Sequence, residues 1–155
     1  MDYGTQLVAL CLVLVVTIEF FQYRRVKLLS TELFEGFLGL SIFCIVCDIG
    51  CIYASFHPQY FSILTNRIID QFFFASLSLV AFYVFIYIDL RGRKVKNYST
   101  LELLLRAIPL IIAILGILFG DINYSVSVKS SYSYGTLVNI VYVMSATYCV
   151  MAIAA

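Results

Sequence analysis

Long apolar runs recur along the chain and are separated by short polar segments. Five of them approach or reach the roughly 20 residues that an α-helix needs to cross a bilayer. They cover residues 3–23, 33–56, 68–88, 101–119 and 134–154. The fourth reaches this length only when residues 101–106 form its first turns, with Glu102 and Arg106 one turn apart and able to pair. The pattern therefore predicts an all-α membrane protein with five transmembrane helices.

The composition also lies outside the range of soluble proteins. Hydrophobic residues make up 63% and charged residues 12% of the 155 residues, against about half and about a quarter in soluble domains. The mean hydropathy is +0.99. No long polar linker divides the apolar runs, so residues 1–155 are predicted to form a single transmembrane domain in contact with the lipid bilayer. A net charge of only +1 argues against a nucleic-acid partner.

Basic residues cluster in two of the connections between the runs. By the positive-inside rule these two connections are cytoplasmic, which predicts an extracellular N-terminus and a cytoplasmic C-terminus. The first run should remain in the mature protein, because no Lys or Arg precedes it and no cleavage site of small residues follows it. The clusters are Arg24, Arg25 and Lys27 after the first run and Arg91, Arg93, Lys94 and Lys96 after the third, whereas the opposite connections hold only Arg67 and Lys129.

Between the fourth and fifth runs, bulky and polar residues alternate. Tyr or Val occupies positions 124, 126 and 128, and Tyr occupies positions 132 and 134, on the two sides of a polar turn at residues 129–130. Alternation on both sides of a short turn predicts a β-hairpin, here an extracellular one. The alternative is a disordered serine-rich loop, but Tyr and Val are good strand formers. A two-stranded hairpin is marginally stable alone, so it should lie across the helix ends.

Asp48 interrupts the second apolar run. A carboxylate at membrane depth costs several kcal/mol unless it meets a polar partner or water, so such a residue is a functional candidate. Cys44, Cys47 and Cys51 lie on the same broad helix face, and thiolates with a carboxylate can bind zinc. We favour the simpler interpretation that these small residues let helices pack closely, because no histidine lies nearby in the run. Neither a metal nor another cofactor is therefore expected.

Asp48 lies about 10 Å below the outer end of its helix, at 1.5 Å per residue. Other polar and tyrosine residues lie on the same outer side and predict an outward-facing pocket of the apolar kind with a few convergent polar groups. The alternative is a structural hydrogen-bond network that joins the second, third and fifth helices. The candidate ligand-binding residues are Asp48, Asn66, Arg67, Asp70, Gln71, Asn123, Tyr124, Tyr132, Tyr134 and Asn139.

No catalytic residue is predicted. The chain contains no nucleophile–base pair of motif quality, no phosphate-binding loop and no HExxH spacing. A retinal protein is disfavoured because the helices lack a mid-membrane lysine for a Schiff base.

Three stretches carry a family resemblance: YRRVKLLSTELFEGFLGLSIFCIVCDIGCIYA, TNRIIDQFFFASLSLVAFYVFIYI and SVSVKSSYSYGTLVNIVYV. Together with the five-helix plan they resemble the N-terminal membrane sensor regions of clostridial-type bacterial signalling proteins. Many of those proteins end in a GGDEF (diguanylate cyclase) domain and others in a histidine kinase. The most specific feature is the step Tyr134–Gly135, which in that family ends a short extracellular hairpin. One departure is that no effector sequence follows Ala155.

The resemblance implies a sensor in the bacterial cytoplasmic membrane. An extracellular small ligand would contact Asp48, Arg67 and the hairpin tyrosines and shift the fifth helix. That helix would signal to a cytoplasmic effector that makes cyclic di-GMP, and paired effector domains imply a homodimer. Two alternatives remain open: a small transporter or channel subunit that uses Asp48 and Asp70, and a purely structural membrane partner. An inverted-repeat transporter is disfavoured because the chain shows no two similar halves.

Overall fold

Five α-helices and two short strands make up the described part of the chain, which in this computed structural model comprises residues 4–22, 29–57, 59–92, 99–126 and 131–154. All five helices are long and apolar enough to cross a membrane, as the apolar runs predict. The structure thus supports a multi-pass membrane protein. The elements are α1 (Gly4–Gln22), α2 (Leu29–Phe56), α3 (Ile63–Gly92), α4 (Thr100–Phe119), β1 (Asn123–Val126), β2 (Ser131–Tyr134) and α5 (Thr136–Ala154).

The third helix is longer than its apolar run, at 30 residues instead of the predicted 68–88. Its extra first turn has a local cause, because the Ser62 hydroxyl accepts a hydrogen bond from the backbone N–H of Thr65 at 3.1 Å. At 1.5 Å per residue α3 is about 45 Å long, which exceeds the roughly 30 Å hydrocarbon core of a bilayer. Hydropathy identifies only the apolar part of such a helix, so the pattern of apolar residues does not predict its polar ends.

The two strands lie in the segment whose alternation predicts a hairpin. They pair antiparallel, with Asn123 opposite Tyr134. The predicted turn at residues 129–130 lies outside the described residues. Gly135 joins β2 to α5 with a φ of +138°, and a Cβ there would lie 2.7 Å from the Asp121 carbonyl oxygen. This step from strand to helix therefore requires glycine.

Helix α3 is the centre of the bundle. It contacts α2, α4 and α5; α4 and α5 contact each other, and α1 contacts only α2 among the described elements. The bundle has two ends. At one of them, which we call the hairpin end, α2 and α4 finish and α3 and α5 begin. We call the opposite end the loop end. The core lies between α3, α4 and α5 in two clusters: Phe74, Ile117, Leu137 and Val141 nearer the hairpin end, and Phe85, Ile86, Leu110, Ala113, Met144 and Tyr148 nearer the loop end.

Tyr148 of α5 repairs a break in the backbone of α4. Pro109 lies inside α4 and has no N–H, and its ring disturbs the preceding turn. The Tyr148 hydroxyl donates to the Arg106 carbonyl at 2.9 Å and accepts from the Leu110 N–H at 3.0 Å. An uninterrupted α-helix would bond those two backbone groups to each other. Tyr148 is 1% exposed, so a buried side chain satisfies backbone groups that would find no water in a membrane.

A buried ion pair lies beside this bridge. The Arg106 Nε is 3.1 Å from the Asp89 Oδ2, and the two side chains are only 15% and 7% exposed. The pair joins α4 to α3 at the loop end. Glu102, which the sequence spacing predicts is able to pair with Arg106, accepts a hydrogen bond from the Ser99 N–H at 3.3 Å, ahead of the first turn of α4.

Replacing Tyr148 by Phe should lower the free energy of unfolding by about 1–3 kcal/mol, because the change keeps the ring and removes the hydroxyl that serves two buried backbone groups. Tyr142→Phe is the matched control, since Tyr142 is 57% exposed and lies on the same helix. Unfolding of both variants in mixed micelles measures the difference. Equal stability of the two variants would show that the bridge does not stabilise α4.

Candidate functional site

Four predicted site residues lie in the first turns of α3 and divide between two faces of the helix. At about 100° per residue, Asn66 and Asp70 share one face, and Arg67 and Gln71 share another. The neighbours of α3 show where these faces point. Ile69 approaches α2 at Gly50, whereas Phe74 packs with Leu137 and Val141 of α5.

Arg67 and Gln71 face α4 and cap its end. The Arg67 Nη2 donates to the Gly120 carbonyl at 3.3 Å, and the Gln71 Nε2 donates to the Ile117 carbonyl at 2.9 Å. Carbonyls in the last turn of a helix have no partner within the helix. The structure therefore places these two donors in a contact that fastens α3 to α4, on a different face from Asp70.

Asp48 of α2 and Asp70 of α3 both lie near Cys51. The Cys51 side chain is hydrogen-bonded to Asp70 and lies within electrostatic range of Asp48. Two turns deeper, Cys44 is hydrogen-bonded to Ser76 and is also near Asp48. Both carboxylates therefore lie within electrostatic range of one thiol, in the half of the bundle nearer the hairpin end.

Two groups at this site are left without partners. The Asn66 side chain is 9% exposed, and its Oδ1 has no hydrogen-bond partner in the described part of the chain. Asp48 is half-buried and forms no hydrogen bond or ion pair with any described residue. Buried polar groups in proteins are nearly always hydrogen-bonded, so an unpaired one indicates a special role.

Asn66 and Asp70 share one face of α3, between its contacts with α2 and α5. Around α3, position 70 falls between Ile69, which faces α2, and Phe74, which faces α5. Helices α2 and α5 do not contact each other in the described residues, but β2 contacts both. Asn66 and Asp70 therefore lie on the face of α3 between α2 and α5, at the end that β2 crosses. We call this space the acidic groove and define it by Asp48, Cys51, Asn66 and Asp70.

The remaining predicted residues are distributed differently. Asn139 lies on the side of α5 away from Leu137 and Val141, where it lines a separate groove between α4 and α5 with Pro109. Asn123 is exposed at the start of β1, and Tyr134 is 49% exposed at the end of β2. The side chains of Tyr124 and Tyr132 lie outside the described part of the structure, as do all the basic residues of the two predicted cytoplasmic clusters except Arg91.

Cys51 is the groove residue whose role sequence reasoning missed. Cys51 lies three residues after Asp48 and therefore on the same broad face of α2. Its hydrogen bond to Asp70, however, depends on the register between α2 and α3, which the sequence does not reveal. No group of three or more His, Cys, Asp or Glu side chains within the described ranges is placed to hold a metal ion. Cys44 and Cys51 each contact α3, through Ser76 and Asp70.

Comparison with protein-family models, curated proteins and solved structures finds no match for this chain. The resemblance to membrane sensor regions therefore stays an expectation from the quoted sequence stretches. What the site does must be argued from its own geometry.

Two substitutions on neighbouring faces of α3 should shift stability in opposite directions. Asn66→Leu replaces an unpaired buried amide by an apolar group of similar size and should raise the free energy of unfolding by up to about 1 kcal/mol. Gln71→Leu leaves the Ile117 carbonyl unpaired and should lower it by about 1–3 kcal/mol. Both are measured by unfolding in mixed micelles. Equal destabilisation by the two changes would mean that Asn66 Oδ1 has a partner.

Proposed function

We propose that this chain is a membrane sensory domain that binds an extracellular small ligand in the acidic groove. The observation that carries the proposal is the unpaired amide oxygen of the nine-tenths buried Asn66, on the same face of α3 as Asp70. A structural network would be expected to pair its own members, whereas a ligand site holds polar groups ready for an absent partner. The groove lies at the end crossed by β2, where small molecules can enter from water.

In this proposal the hairpin end is extracellular and the loop end is cytoplasmic. Support comes from the basic residues of the sequence, which concentrate near the loop end in the segments after α1 and α3. The N-terminus is then outside the cell, and α5 delivers the C-terminus to the cytoplasm. The strands β1 and β2 form an extracellular cover over the groove.

Helix α5 is suited to carry the signal. It begins directly after Gly135, which joins it to β2, and it packs along α3 and α4. Near the loop end its Tyr148 bonds the backbone of α4 at Arg106, the residue that is paired with Asp89. In this proposal β2 and α5 have two alternative positions. A ligand that binds one position more tightly than the other would shift their relative populations, and α5 would carry this shift to its cytoplasmic end.

The proposed output is a cytoplasmic effector attached after α5, a diguanylate cyclase in the first instance and a histidine kinase otherwise. This part of the proposal is supported only by the sequence resemblance. A cyclase that acts through paired catalytic domains would make the receptor a homodimer. Cyclic di-GMP would then report occupancy of the groove.

A second candidate is a small transporter or channel subunit. The shared proximity of Asp48 and Asp70 to Cys51 favours it, because paired carboxylates at membrane depth are also found along proton and cation paths. Purified protein in proteoliposomes separates the two functions. A sensory domain passes no ions, whereas a transporter shows cation or proton flux that Asp48→Asn abolishes. A purely structural partner would show neither flux nor ligand response.

Fusion of a diguanylate cyclase domain after Ala155 tests the proposed function in cells. Because GTP is cytoplasmic, production of cyclic di-GMP requires a cytoplasmic C-terminus. We expect the small-molecule fraction of rich growth medium to change this production, and Asp48→Asn to abolish the change. Asp121→Asn is the matched control, since it removes an exposed carboxylate at the same end of the bundle. If all three fusions respond alike to the fraction, Asp48 is not part of the ligand site.

A further inference from the structure

A cavity of about 510 Å³ lies at the loop end of the bundle, between α1 and α3. Both helices contact α2, but within the described residues they do not contact each other. The cavity occupies the space that this arrangement leaves beside α2, and all three helices contribute side chains to its lining. It lies at the opposite end of the bundle from the acidic groove and shares no residue with it.

Aromatic side chains line the cavity where the three helices meet. The ring centroids of Phe20 of α1 and Phe34 of α2 are 5.0 Å apart, and those of Phe34 and Tyr87 of α3 are 5.8 Å apart. Phe20 is buried, and aromatic rings at such distances pack favourably against each other. The three rings therefore form a continuous apolar wall that fixes the shape of the cavity.

Two opposite charges line the same cavity and do not pair with each other. Glu19 of α1 forms no hydrogen bond or ion pair with any described residue. Arg91 of α3 donates from Nη1 to the Tyr87 hydroxyl at 3.0 Å, and its Cζ is 5.8 Å from the centre of the Tyr87 ring. A guanidinium has five N–H donors, so Tyr87 holds Arg91 beside the cavity and leaves further donors for a ligand.

The lining changes from charged to apolar along the helix axes. Glu19 and Arg91 lie in the last turns of α1 and α3, whereas Val15 and Val16 of α1 line the cavity about one turn farther from the loop end. A soluble ion would leave the apolar part of the cavity empty, and an apolar molecule would leave both charges unpaired. A phospholipid provides a charged head at the membrane surface and acyl chains that extend toward the middle of the bilayer.

We propose that this cavity binds one glycerophospholipid with a primary ammonium head group, a phosphatidylethanolamine, from the leaflet at the loop end. The lipid phosphate accepts hydrogen bonds from Arg91, whose planar guanidinium matches phosphate geometry, and the lipid ammonium donates to the Glu19 carboxylate. The bound lipid connects α1 to α3, which do not contact each other directly in the described residues. This inference does not rest on the proposed sensory function.

Two other common head groups fit the pair of charges less well. Phosphatidylglycerol has the phosphate but no cation, so its negative charge would meet the like charge of Glu19. Phosphatidylcholine has both charges, but its trimethylated nitrogen has no N–H to donate to the carboxylate. Of the three lipids, phosphatidylethanolamine is the one that supplies a hydrogen-bonding partner to both Glu19 and Arg91.

Lipid titrations of the purified full chain, followed by native mass spectrometry, test this preference. The three lipids carry the same palmitoyl and oleoyl chains. We expect one phosphatidylethanolamine to bind saturably and about tenfold or more tightly than the other two lipids, since a hydrogen bond between charged groups contributes that order of affinity. Glycerophosphoethanolamine, the same head group without acyl chains, should not bind at these concentrations because it leaves the apolar lining uncovered.

Variants then locate the bound lipid. Glu19→Gln should remove the roughly tenfold preference for phosphatidylethanolamine over phosphatidylcholine, and Arg91→Gln should weaken the binding of both lipids by about tenfold. Glu35→Gln is the matched control, since Glu35 is an exposed carboxylate at the same end of the bundle that does not line the cavity. Glu19 and Arg91 are also exposed, so neither substitution should impair folding.

Each contrary result overturns a different part of the inference. Phosphatidylethanolamine binding that is unchanged in both variants would overturn the cavity as its site. Tightest binding of phosphatidylglycerol, equal binding of the three lipids, or no saturable binding at all would overturn the head-group assignment. Glycerophosphoethanolamine that binds as tightly as the intact lipid would show that the ligand is a soluble phosphate ester and not a membrane lipid.

Discussion

The need to pair every buried polar group inside the protein is the constraint on which this structure depends. In an apolar environment a backbone N–H or carbonyl has no water to replace a missing partner. Helix α4 lacks such partners at Pro109 and at its C-terminal end. Tyr148 supplies them at the first place, and Arg67 and Gln71 supply them at the second. These side-chain contacts with a backbone hold α3, α4 and α5 together at both ends of the core.

The same constraint makes the acidic groove conspicuous. A bundle that provides a buried tyrosine for two backbone groups of α4 nevertheless leaves two buried side-chain atoms of the described residues unpaired, the Asn66 Oδ1 and the Ser145 Oγ of α5. The donors nearest along the chain, on Arg67 and Gln71, point to the other side of α3. One face of α3 thus donates hydrogen bonds to α4, and the adjacent face carries Asn66 and Asp70.

Sequence patterns predicted the five helices, because an apolar run of about 20 residues is typical of a membrane-spanning helix. They did not predict the true length of α3, since the Ser62 cap extends the helix beyond its apolar part. The spacing of four residues between Asn66 and Asp70 sets a common helix face, so their proximity follows from the sequence once the helix is known. The partners of Arg67 and Tyr148 were not predictable. They depend on which helix end or proline a neighbouring helix brings alongside, and no local pattern encodes that register.

The division of polar side chains between two faces of α3 is the central claim, and NMR of the side-chain carbonyl carbons tests it most directly. With ¹³C in the carboxyl of Asp and the carboxamides of Asn and Gln, the small-molecule fraction of rich growth medium is titrated into the protein in nanodiscs. The account predicts that the Asp48, Asp70 and Asn66 signals shift together and saturate while the Gln71 signal stays fixed. A shift of Gln71 with Asn66 unmoved would contradict it.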